Sequence, residues 1–258
     1  MIGVLDPAGP VGAGERIILL DSVAIMLAIV IPVMACTLSV AWWFRASNRR
    51  AQYRPQWRYS GRLELLVWSI PALIVLFLGG IAWESSHALD PAKRLTSEAK
   101  PLEVQVVSLD WRWLFIYPQQ HAASLNRLMI PAGTPIHFQL TSATVMNSFF
   151  VPRLGSQIYT MAGMATDLYL RADEPGEYAG ISAQFSGDGF SDMRFTVSAV
   201  PPAQFQAWAA GLHDAPPLDA AAYAALAAAH TTGGAATYGS VSEGLFRDIV
   251  QMRLKVGG

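Results

Sequence analysis

The stretch Ser182-Ala-Gln-Phe-Ser-Gly-Asp-Gly-Phe-Ser-Asp-Met193 lies near the end of a region that is rich in predicted β-strands. It carries hydroxyl and amide side chains at Ser182, Gln184 and Ser186, and the thioether of Met193 ends it. The glycines between these positions predict a turn. The stretch is therefore a polar loop in a β-rich domain, and that domain follows two long apolar segments.

The composition favours a membrane-anchored protein. The chain has 258 residues, of which 52% are hydrophobic and only 14% are charged. These values lie between those of a soluble domain and a polytopic transporter, so a few membrane spans and a soluble part are expected. The net charge of −1 argues against nucleic-acid binding. The single cysteine, Cys36, can form neither an intrachain disulfide nor a thiolate metal cluster alone.

Two apolar segments, residues 17–44 and 63–87, are each long enough to cross a bilayer, which needs about 20 residues. The loop between them, residues 45–62, is cationic and has no acidic residue. Its basic residues are Arg45, Arg49, Arg50, Arg54, Arg58 and Arg62. Short arginine-rich loops stay in the cytoplasm. In a bacterial inner membrane, this predicts that the N-terminal segment (residues 1–16) and the domain after the second span both lie in the periplasm.

Residues 88–200 are predicted to form the outer domain. Alternating apolar and polar residues indicate strands, with turn signals between them. The predicted strands are 102–107, 112–117, 135–141, 167–171, 176–183 and 192–197. Short, regularly spaced strands favour a sandwich or barrel. Residues 201–258 are predicted to form a helical C-terminal arm, with helices near 205–208, 220–229 and 242–254, the last capped by Ser242.

The polar loop resembles a metal site that lacks its metal ligands. In the pattern Cys-x-Glu-x-Cys-x3-His-x2-Met, this chain keeps only the last residue. The corresponding positions are Ser182, Gln184, Ser186, Phe190 and Met193. That pattern is the copper loop of subunit II of the haem-copper respiratory oxidases, where it holds a binuclear copper centre. The chain therefore resembles this family, and the lost ligands point to its quinol-oxidising branch.

Further stretches carry the same resemblance. Leu109-Asp-Trp-Arg-Trp113 resembles the family's tryptophan-rich strand. Val145-Met-Asn-Ser-Phe-Phe-Val-Pro152 resembles the segment that bears the first copper-ligating histidine, which is Asn147 here. Residues 153–164 and 180–187 are similar to subunit II of the bacterial cytochrome bo-type quinol oxidases. The implied fold is membrane-anchored α+β: a two-helix transmembrane hairpin, a cupredoxin-like β-barrel and a short helical arm.

The resemblance also implies cofactors and partners. The chain itself is expected to hold no redox cofactor and no metal. Haems and catalytic copper are expected in subunit I, with ubiquinol as the substrate of the complex. The expected partners are subunit I, the small membrane subunits III and IV and the lipid bilayer, but neither nucleic acid nor cytochrome c.

The residues at the former copper positions lack the chemistry for a binuclear copper centre. Such a centre needs soft bridging thiolates and imidazoles, whereas hydroxyl and amide groups bind copper weakly and a phenyl ring does not bind it. Hydroxyl and amide groups can hydrogen-bond one another, so we expect a polar network with Phe190 packed beside it. Neither His121 nor His137 has a metal-ligand spacing to a second strong donor, so a rebuilt site is not expected.

Trp111 and Trp113 are separated by one position, which places both on the same face of a strand. In copper-bearing relatives the tryptophan-rich strand helps to receive electrons from cytochrome c. Without copper, packing in the core or against another subunit is the favoured interpretation of both residues.

Glu64, at the start of the second apolar segment, is the candidate for a chemical role. Ionisable residues at membrane edges often mark proton pathways. The resemblance implies that this carboxylate lies at the mouth of a proton channel that rises through subunit I. The alternative is an interfacial carboxylate that neutralises Arg62 or another arginine of the loop.

The predicted function is a non-redox subunit II of a proton-pumping ubiquinol oxidase, which braces subunit I and contributes Glu64 to proton uptake. One alternative is a cytochrome c oxidase subunit whose copper ligands lie elsewhere; copper content and turnover with cytochrome c would distinguish it. The other is a stand-alone membrane-anchored β-domain that binds a partner and would not copurify with haem.

Overall fold

A computed structural model describes residues 3–52, 54–97 and 99–254. The chain divides into two compact units. One is the helical unit Ile17–Ala88, and the other combines Met1–Arg16 with Leu89–Gly258. The predicted fold class, two apolar helices followed by a curled β-domain and a helical arm, is confirmed.

Two long helices, α1 (Pro10–Trp43) and α2 (Gly61–Ala88), contain the apolar segments, and both are long and apolar enough to cross a membrane. The 34 residues of α1 exceed the roughly 20 that a bilayer needs, and the helix begins seven residues before the predicted span. At its end, the Arg45 guanidinium donates to the carbonyl of Trp42 at 2.9 Å. The Asn48 amide donates to the carbonyl of Trp43. These side chains satisfy backbone acceptors that the end of a helix leaves free.

The outer domain consists of two β-sheets. The first has the strand order β12-β3-β2-β1-β5-β8 and the second the order β4-β10-β9-β6-β7. The strands are β1 (Leu102–Ser108), β2 (Trp113–Tyr117), β3 (Ala122–Leu125), β4 (Arg127–Pro131), β5 (Ile136–Ser142), β6 (Asn147–Val151), β7 (Gly155–Thr160), β8 (Thr166–Leu170), β9 (Gly176–Ser182), β10 (Arg194–Val200) and β12 (Ala236–Tyr238). All six predicted strands are present, whereas β3, β4, β6, β7 and β12 were not predicted. In β6, four of the five residues are buried, so the alternation that marks a half-buried strand is missing.

An aromatic cluster fills the core between the two sheets. Phe149 of β6 stacks on Phe195 of β10, with ring centroids 4.9 Å apart. Trp113 of β2 meets Phe149 edge to face at 5.5 Å and is fully buried. A Cβ atom at Gly180 would lie 2.1 Å from the Phe195 ring, so only glycine lets β9 pass this close to the cluster.

The C-terminal arm builds a second core on the other face of the first sheet. It comprises α3 (Pro202–Gly211), β11 (Pro217–Leu218), α4 (Ala220–Ala228), the strand β12, β13 (Ser240–Val241) and α5 (Leu245–Val250). Leu218, Tyr223 and Phe246 of the arm pack with apolar residues of β1, β2 and β3. The Asp219 carboxylate accepts from the backbone N–H of Ala222 at 2.8 Å and caps α4.

The last helix differs from the prediction. It is shorter than residues 242–254, and its N-cap is Gly244 rather than Ser242. Gly244 has a φ of 78°, which glycine adopts without strain. The backbone carbonyl of Ser242 instead accepts from the N–H of Leu245 at 3.2 Å, so this residue forms the turn before the helix.

The N-terminal segment packs against the outer domain. The backbone N–H of Ala8 donates to Arg153 O at 2.7 Å, and the N–H of Asp173 donates to Ala8 O at 2.8 Å. The Glu15 carboxylate accepts from both the backbone N–H and the hydroxyl of Ser156, at 2.8 and 2.7 Å. This segment and the outer domain therefore belong to one compact unit.

The buried Tyr117 hydroxyl forms a hydrogen bond with a backbone N–H group of the strand β4. It accepts from the N–H of Met129 at 2.8 Å, and the side chain is fully buried. Replacing Tyr117 by phenylalanine leaves that N–H unpaired, so we expect the free energy of unfolding to fall by about 1–2 kcal/mol. Tyr223→Phe is the matched control, because within the described structure the buried Tyr223 hydroxyl has no hydrogen-bond partner. Urea unfolding of both variants measures the difference, and equal losses would contradict the assignment.

Alkaline pH provides a second prediction. Burial raises the pKa of Tyr117, and burial also raises the pKa of Tyr223. A phenol whose folded pKa lies above its unfolded value contributes full stability below about pH 10 and loses it as pH rises above that value. We therefore expect the unfolding free energy of the wild type to fall above about pH 10. Each of the two tyrosines contributes a slope of up to about 1.4 kcal/mol per pH unit. A double phenylalanine variant should show a shallower fall in urea titrations between neutral and alkaline pH, and an unchanged slope would contradict this.

Candidate functional site

The polar loop joins β9 to β10 at one end of the second sheet. Ser182 is the last residue of β9, and its backbone N–H donates to Met193 O at 3.1 Å, which closes the base of the loop. A short helical turn, Phe190–Asp192, precedes Met193. The side chain of Met193 is 1% exposed and belongs to the core between the sheets. The loop is thus anchored in the core at both ends.

Asn147 and Ser182, 35 positions apart in the chain, are in contact. Asn147 begins β6, which pairs with β9, and the Ser182 hydroxyl donates to Asn147 Oδ1 at 3.1 Å. The Asn147 amide donates to Val145 O at 3.3 Å. Both side chains are buried, with 1% and 6% exposed. These two positions therefore meet inside the protein, as a polar pair.

The side chains at the remaining loop positions form fewer hydrogen bonds than the predicted polar network requires. In the described structure, Gln184 contributes its backbone carbonyl, which lies 3.3 Å from the Ser182 hydroxyl. The Ser186 hydroxyl is buried and has no hydrogen-bond partner among the described residues. Phe190 is half-buried, and its ring centroid lies 5.6 Å from that of Phe185, which is 71% exposed. The sequence analysis did not identify Phe185 as a neighbour of this site.

Trp111 lies beneath the loop. Its indole N–H donates to Ser186 O at 3.0 Å, and a Cβ atom at Gly189 would lie 2.4 Å from its ring. The strand β2 begins only at Trp113, so Trp111 precedes it and the two do not share one strand face. Both side chains nevertheless pack on the same core, which confirms the packing interpretation.

A segment of the C-terminal arm crosses the same end of the domain. The Asn126 amide donates to Gly233 O and Gly234 O, both at 2.9 Å. His230 Nδ1 lies 3.2 Å from a carboxylate oxygen of Asp110. A Cβ atom at Gly189 would lie 2.7 Å from Thr232 Cγ2. The arm therefore reaches the polar loop, a contact that the sequence pattern did not indicate.

The donors at the former copper positions do not fit a binuclear copper centre. Asn147, Ser182, Gln184 and Ser186 offer neutral oxygen and nitrogen atoms, Met193 offers a thioether and Phe190 offers no donor, whereas a copper pair needs bridging thiolates and imidazoles. Among residues 3–52, 54–97 and 99–254, no three histidine, cysteine, aspartate or glutamate side chains converge as a metal site. The donor chemistry that is present supports hydrogen bonding only.

His137 has two carboxylate neighbours that its spacing in the sequence does not reveal. Its Nδ1 lies 2.6 Å from Glu103 and its Nε2 lies 2.8 Å from Asp167, on the neighbouring strands β1 and β8. The imidazole also stacks on Tyr169 at 4.4 Å. Because the carboxylates face opposite nitrogens of the ring, they do not converge on one point, and the cluster links three neighbouring strands through side-chain hydrogen bonds.

Glu64 lies in the first turn of α2 and is exposed in this chain. Its backbone N–H donates to Ser60 O at 2.9 Å. A carboxylate in the first turn interacts favourably with the helix dipole. Within the described part of the chain, no salt bridge joins it to Arg62 or to another arginine of the loop.

The outer domain is similar to a known family model and to solved structures. Residues 119–200 match the family model of the cytochrome c oxidase subunit II periplasmic domain. The periplasmic domain of cytochrome oxidase subunit II from Bradyrhizobium japonicum superposes with a TM-score of 0.42 at 20% identity, covering 45% of this chain and 96% of that domain. A chain of a heme-copper terminal oxidase dimer gives 0.43 at 15% identity, covering 54% of this chain and 100% of the other.

Similar sequences narrow the class to one family. Cytochrome bo(3) ubiquinol oxidase subunit 2 of Pseudomonas aeruginosa is 52% identical over 213 residues, covering 83% of this chain and 64% of that protein. Ubiquinol oxidase subunit 2 of Acetobacter aceti is 49% identical over 252 residues, covering 96% and 82%. The chain belongs to the family of ubiquinol oxidase subunit 2, which confirms the predicted family and its quinol-oxidising branch. It spans just under two thirds of the length of the Pseudomonas aeruginosa relative.

Proposed function

We propose that this chain is the non-redox subunit II of a bacterial proton-pumping ubiquinol oxidase, which oxidises ubiquinol and reduces oxygen to water. The observation that carries the proposal is the polar pair Asn147–Ser182 at the position of the copper loop. Relatives named as ubiquinol oxidase subunit 2, at 52% and 49% identity, support the same conclusion. A subunit without copper has no means to relay electrons from cytochrome c, so the reductant is a membrane quinol.

The enclosed Trp111 supports the same choice of reductant. Its indole lies under the loop and its N–H is engaged with Ser186 O. Thr232 of the arm lies next to Gly189, on the same loop. A partly buried aromatic side chain engaged in this way serves packing rather than transient docking of a soluble electron carrier.

In the complex, this subunit works as a brace rather than as a redox carrier. The helices α1 and α2 span the inner membrane and pack on subunit I, with the N-terminal segment and the outer domain in the periplasm. Large exposed apolar side chains along both helices suit contact with lipid and with other membrane subunits, including III and IV. Haems and catalytic copper belong to subunit I.

Glu64 gives the subunit a part in proton uptake. It lies in the first turn of α2, beside the arginine-rich loop that faces the cytoplasm under the positive-inside rule. Its exposed carboxylate, which no described arginine neutralises, can exchange protons with water and pass them to a channel in subunit I.

The proposal is tested by purifying the complex and measuring oxygen consumption with ubiquinol and with reduced cytochrome c. We expect turnover with ubiquinol, haem in the preparation and no turnover with cytochrome c. Turnover with cytochrome c together with copper bound to this chain would favour the cytochrome c oxidase alternative. Purification of the chain without haem would favour a stand-alone β-domain.

A further inference from the structure

We propose that the loop after α1 is a binding site for the headgroup of an anionic phospholipid of the cytoplasmic leaflet. The site is a pocket of about 750 Å³ at the end of the first span. Aromatic and cationic side chains line it, and the ones that matter here are Trp43, Phe44, Trp57, Arg50 and Arg54. The location of this pocket at the cytoplasmic membrane surface rests on the proposed topology of the oxidase subunit.

The first argument is charge. Six arginines lie between positions 45 and 62 without one acidic residue. In the structure, as far as it describes the chain, none of the six forms a salt bridge with a carboxylate. Clusters of basic residues next to the cytoplasmic end of a span attract anionic lipid headgroups. A phosphodiester would supply the counter-charge that this loop lacks.

The second argument concerns which arginine side chains can bind a phosphate. The Arg45 guanidinium is engaged: it donates to Trp42 O and to the Ser47 hydroxyl and lies over the Trp42 ring at 4.6 Å. It belongs to the structure of the helix end. Within the part of the chain that the structure describes, the Arg54 guanidinium donates to Gln52 at 2.7 Å and makes no other hydrogen bond, and Arg50 is exposed in the pocket wall. The planar guanidinium matches a phosphate oxygen pair.

The third argument separates a lipid from a soluble phosphate. A second, shallow pocket of about 580 Å³ runs back along α1 and is lined by Leu38 and Val40. It shares Trp43 and Phe44 with the cationic pocket. A cationic pocket and an apolar pocket that share two aromatic residues at the end of the membrane-spanning helix suit a molecule with a phosphate at one end and acyl chains at the other. Tryptophan at this level is typical of the membrane interface.

The test compares two double variants of the purified complex in the same loop. Arg50→Gln with Arg54→Gln removes pocket charges, and Arg49→Gln with Arg58→Gln removes the same charge outside the pocket lining. Each variant keeps four of the six arginines, so the topology signal is equal. Native mass spectrometry counts the phosphatidylglycerol molecules retained after reconstitution in nanodiscs of phosphatidylcholine, with and without phosphatidylglycerol.

We expect the pocket variant to bind phosphatidylglycerol roughly tenfold more weakly for each arginine removed, since each loses a charge-assisted hydrogen bond. The matched variant should lose no more than about threefold, because screened charges outside the pocket act weakly. Equal losses of phosphatidylglycerol binding in both variants would show a diffuse electrostatic attraction rather than a site, and would overturn the assignment. No loss of binding in either variant would also overturn it. Inorganic phosphate binding to the delipidated complex, weakened in the pocket variant, would place a soluble anion there instead.

Haem content and ubiquinol oxidation are measured on the same preparations. A complex that binds phosphatidylglycerol as expected but does not oxidise ubiquinol would contradict the proposed function and leave the lipid site standing. An active ubiquinol oxidase whose two variants retain the same lipids would contradict the lipid site and leave the proposed function standing.

Discussion

Five substitutions give the outer domain a copper-binding loop. They are Asn147→His, Ser182→Cys, Gln184→Glu, Ser186→Cys and Phe190→His. We expect visible absorption from thiolate-to-copper charge transfer when copper is added, because two thiolates and two imidazoles are the soft ligands that copper prefers. Spectroscopy on the purified variant, with metal analysis, measures the effect against a wild type that is expected to show no such absorption.

The structure supports this reconstruction at four positions. Asn147 and Ser182 already lie within 3.1 Å of each other, so ligands there can meet at one metal centre. The Ser186 hydroxyl has no hydrogen-bond partner in the described structure, so Ser186→Cys removes no bond. Met193 already stands at the last position of the pattern and is fixed in the core.

A three-substitution variant that keeps Ser182 and Ser186 is the matched control for the copper loop. It carries the imidazoles and the carboxylate but no thiolate, so it should bind copper weakly and show no thiolate absorption. A five-substitution variant that folds normally yet shows no charge-transfer band with copper would count against the interpretation of this loop as a former copper site.

Glu64→Gln slows turnover of the complex without preventing its assembly. Glutamine keeps the size and polarity of the side chain but cannot carry a proton. We expect ubiquinol-dependent oxygen consumption to fall roughly tenfold, less than for a buried proton-transfer group because water at this exposed position takes over part of the role. Proton uptake by reconstituted vesicles measures the same step directly.

Glu84→Gln is the matched control for the proton-uptake role. Glu84 is an exposed carboxylate on the same helix α2, near its opposite end, so the same chemical change there should leave turnover unchanged. Glu64→Asp should restore much of the rate, since it keeps a carboxylate. Wild-type turnover and proton uptake in Glu64→Gln, with normal haem content, would show that Glu64 is only an interfacial group.

The parts of the fold that sequence could predict are those with a clear periodic signal. The spans follow from long apolar runs, and six strands follow from alternation and turn residues. The strand β6 could not be predicted, because its residues are buried on both faces and show no alternation. The start of α1 at Pro10 was also missed, because its first turns pack on the outer domain through contacts such as Glu15 with Ser156.

The candidate positions can be proposed from the sequence, but their contacts cannot. The ligand offsets are local, so they can be read along the chain. The contact between Asn147 and Ser182 depends on the pairing of β6 with β9, which local spacing does not encode. The same holds for the carboxylates around His137, which come from neighbouring strands, and for the arm segment beside Gly189.

The C-terminal arm also sets the order in which the protein can mature. The second core joins Val107, Leu114 and Ile116 of the first sheet to arm residues such as Leu218 and Ile249, which are made much later. A chain made from its N-terminal side therefore passes through a stage at which this apolar face of the sheet is exposed. During that stage the domain is a substrate for chaperones and proteases, and a chain that stops within the arm remains one.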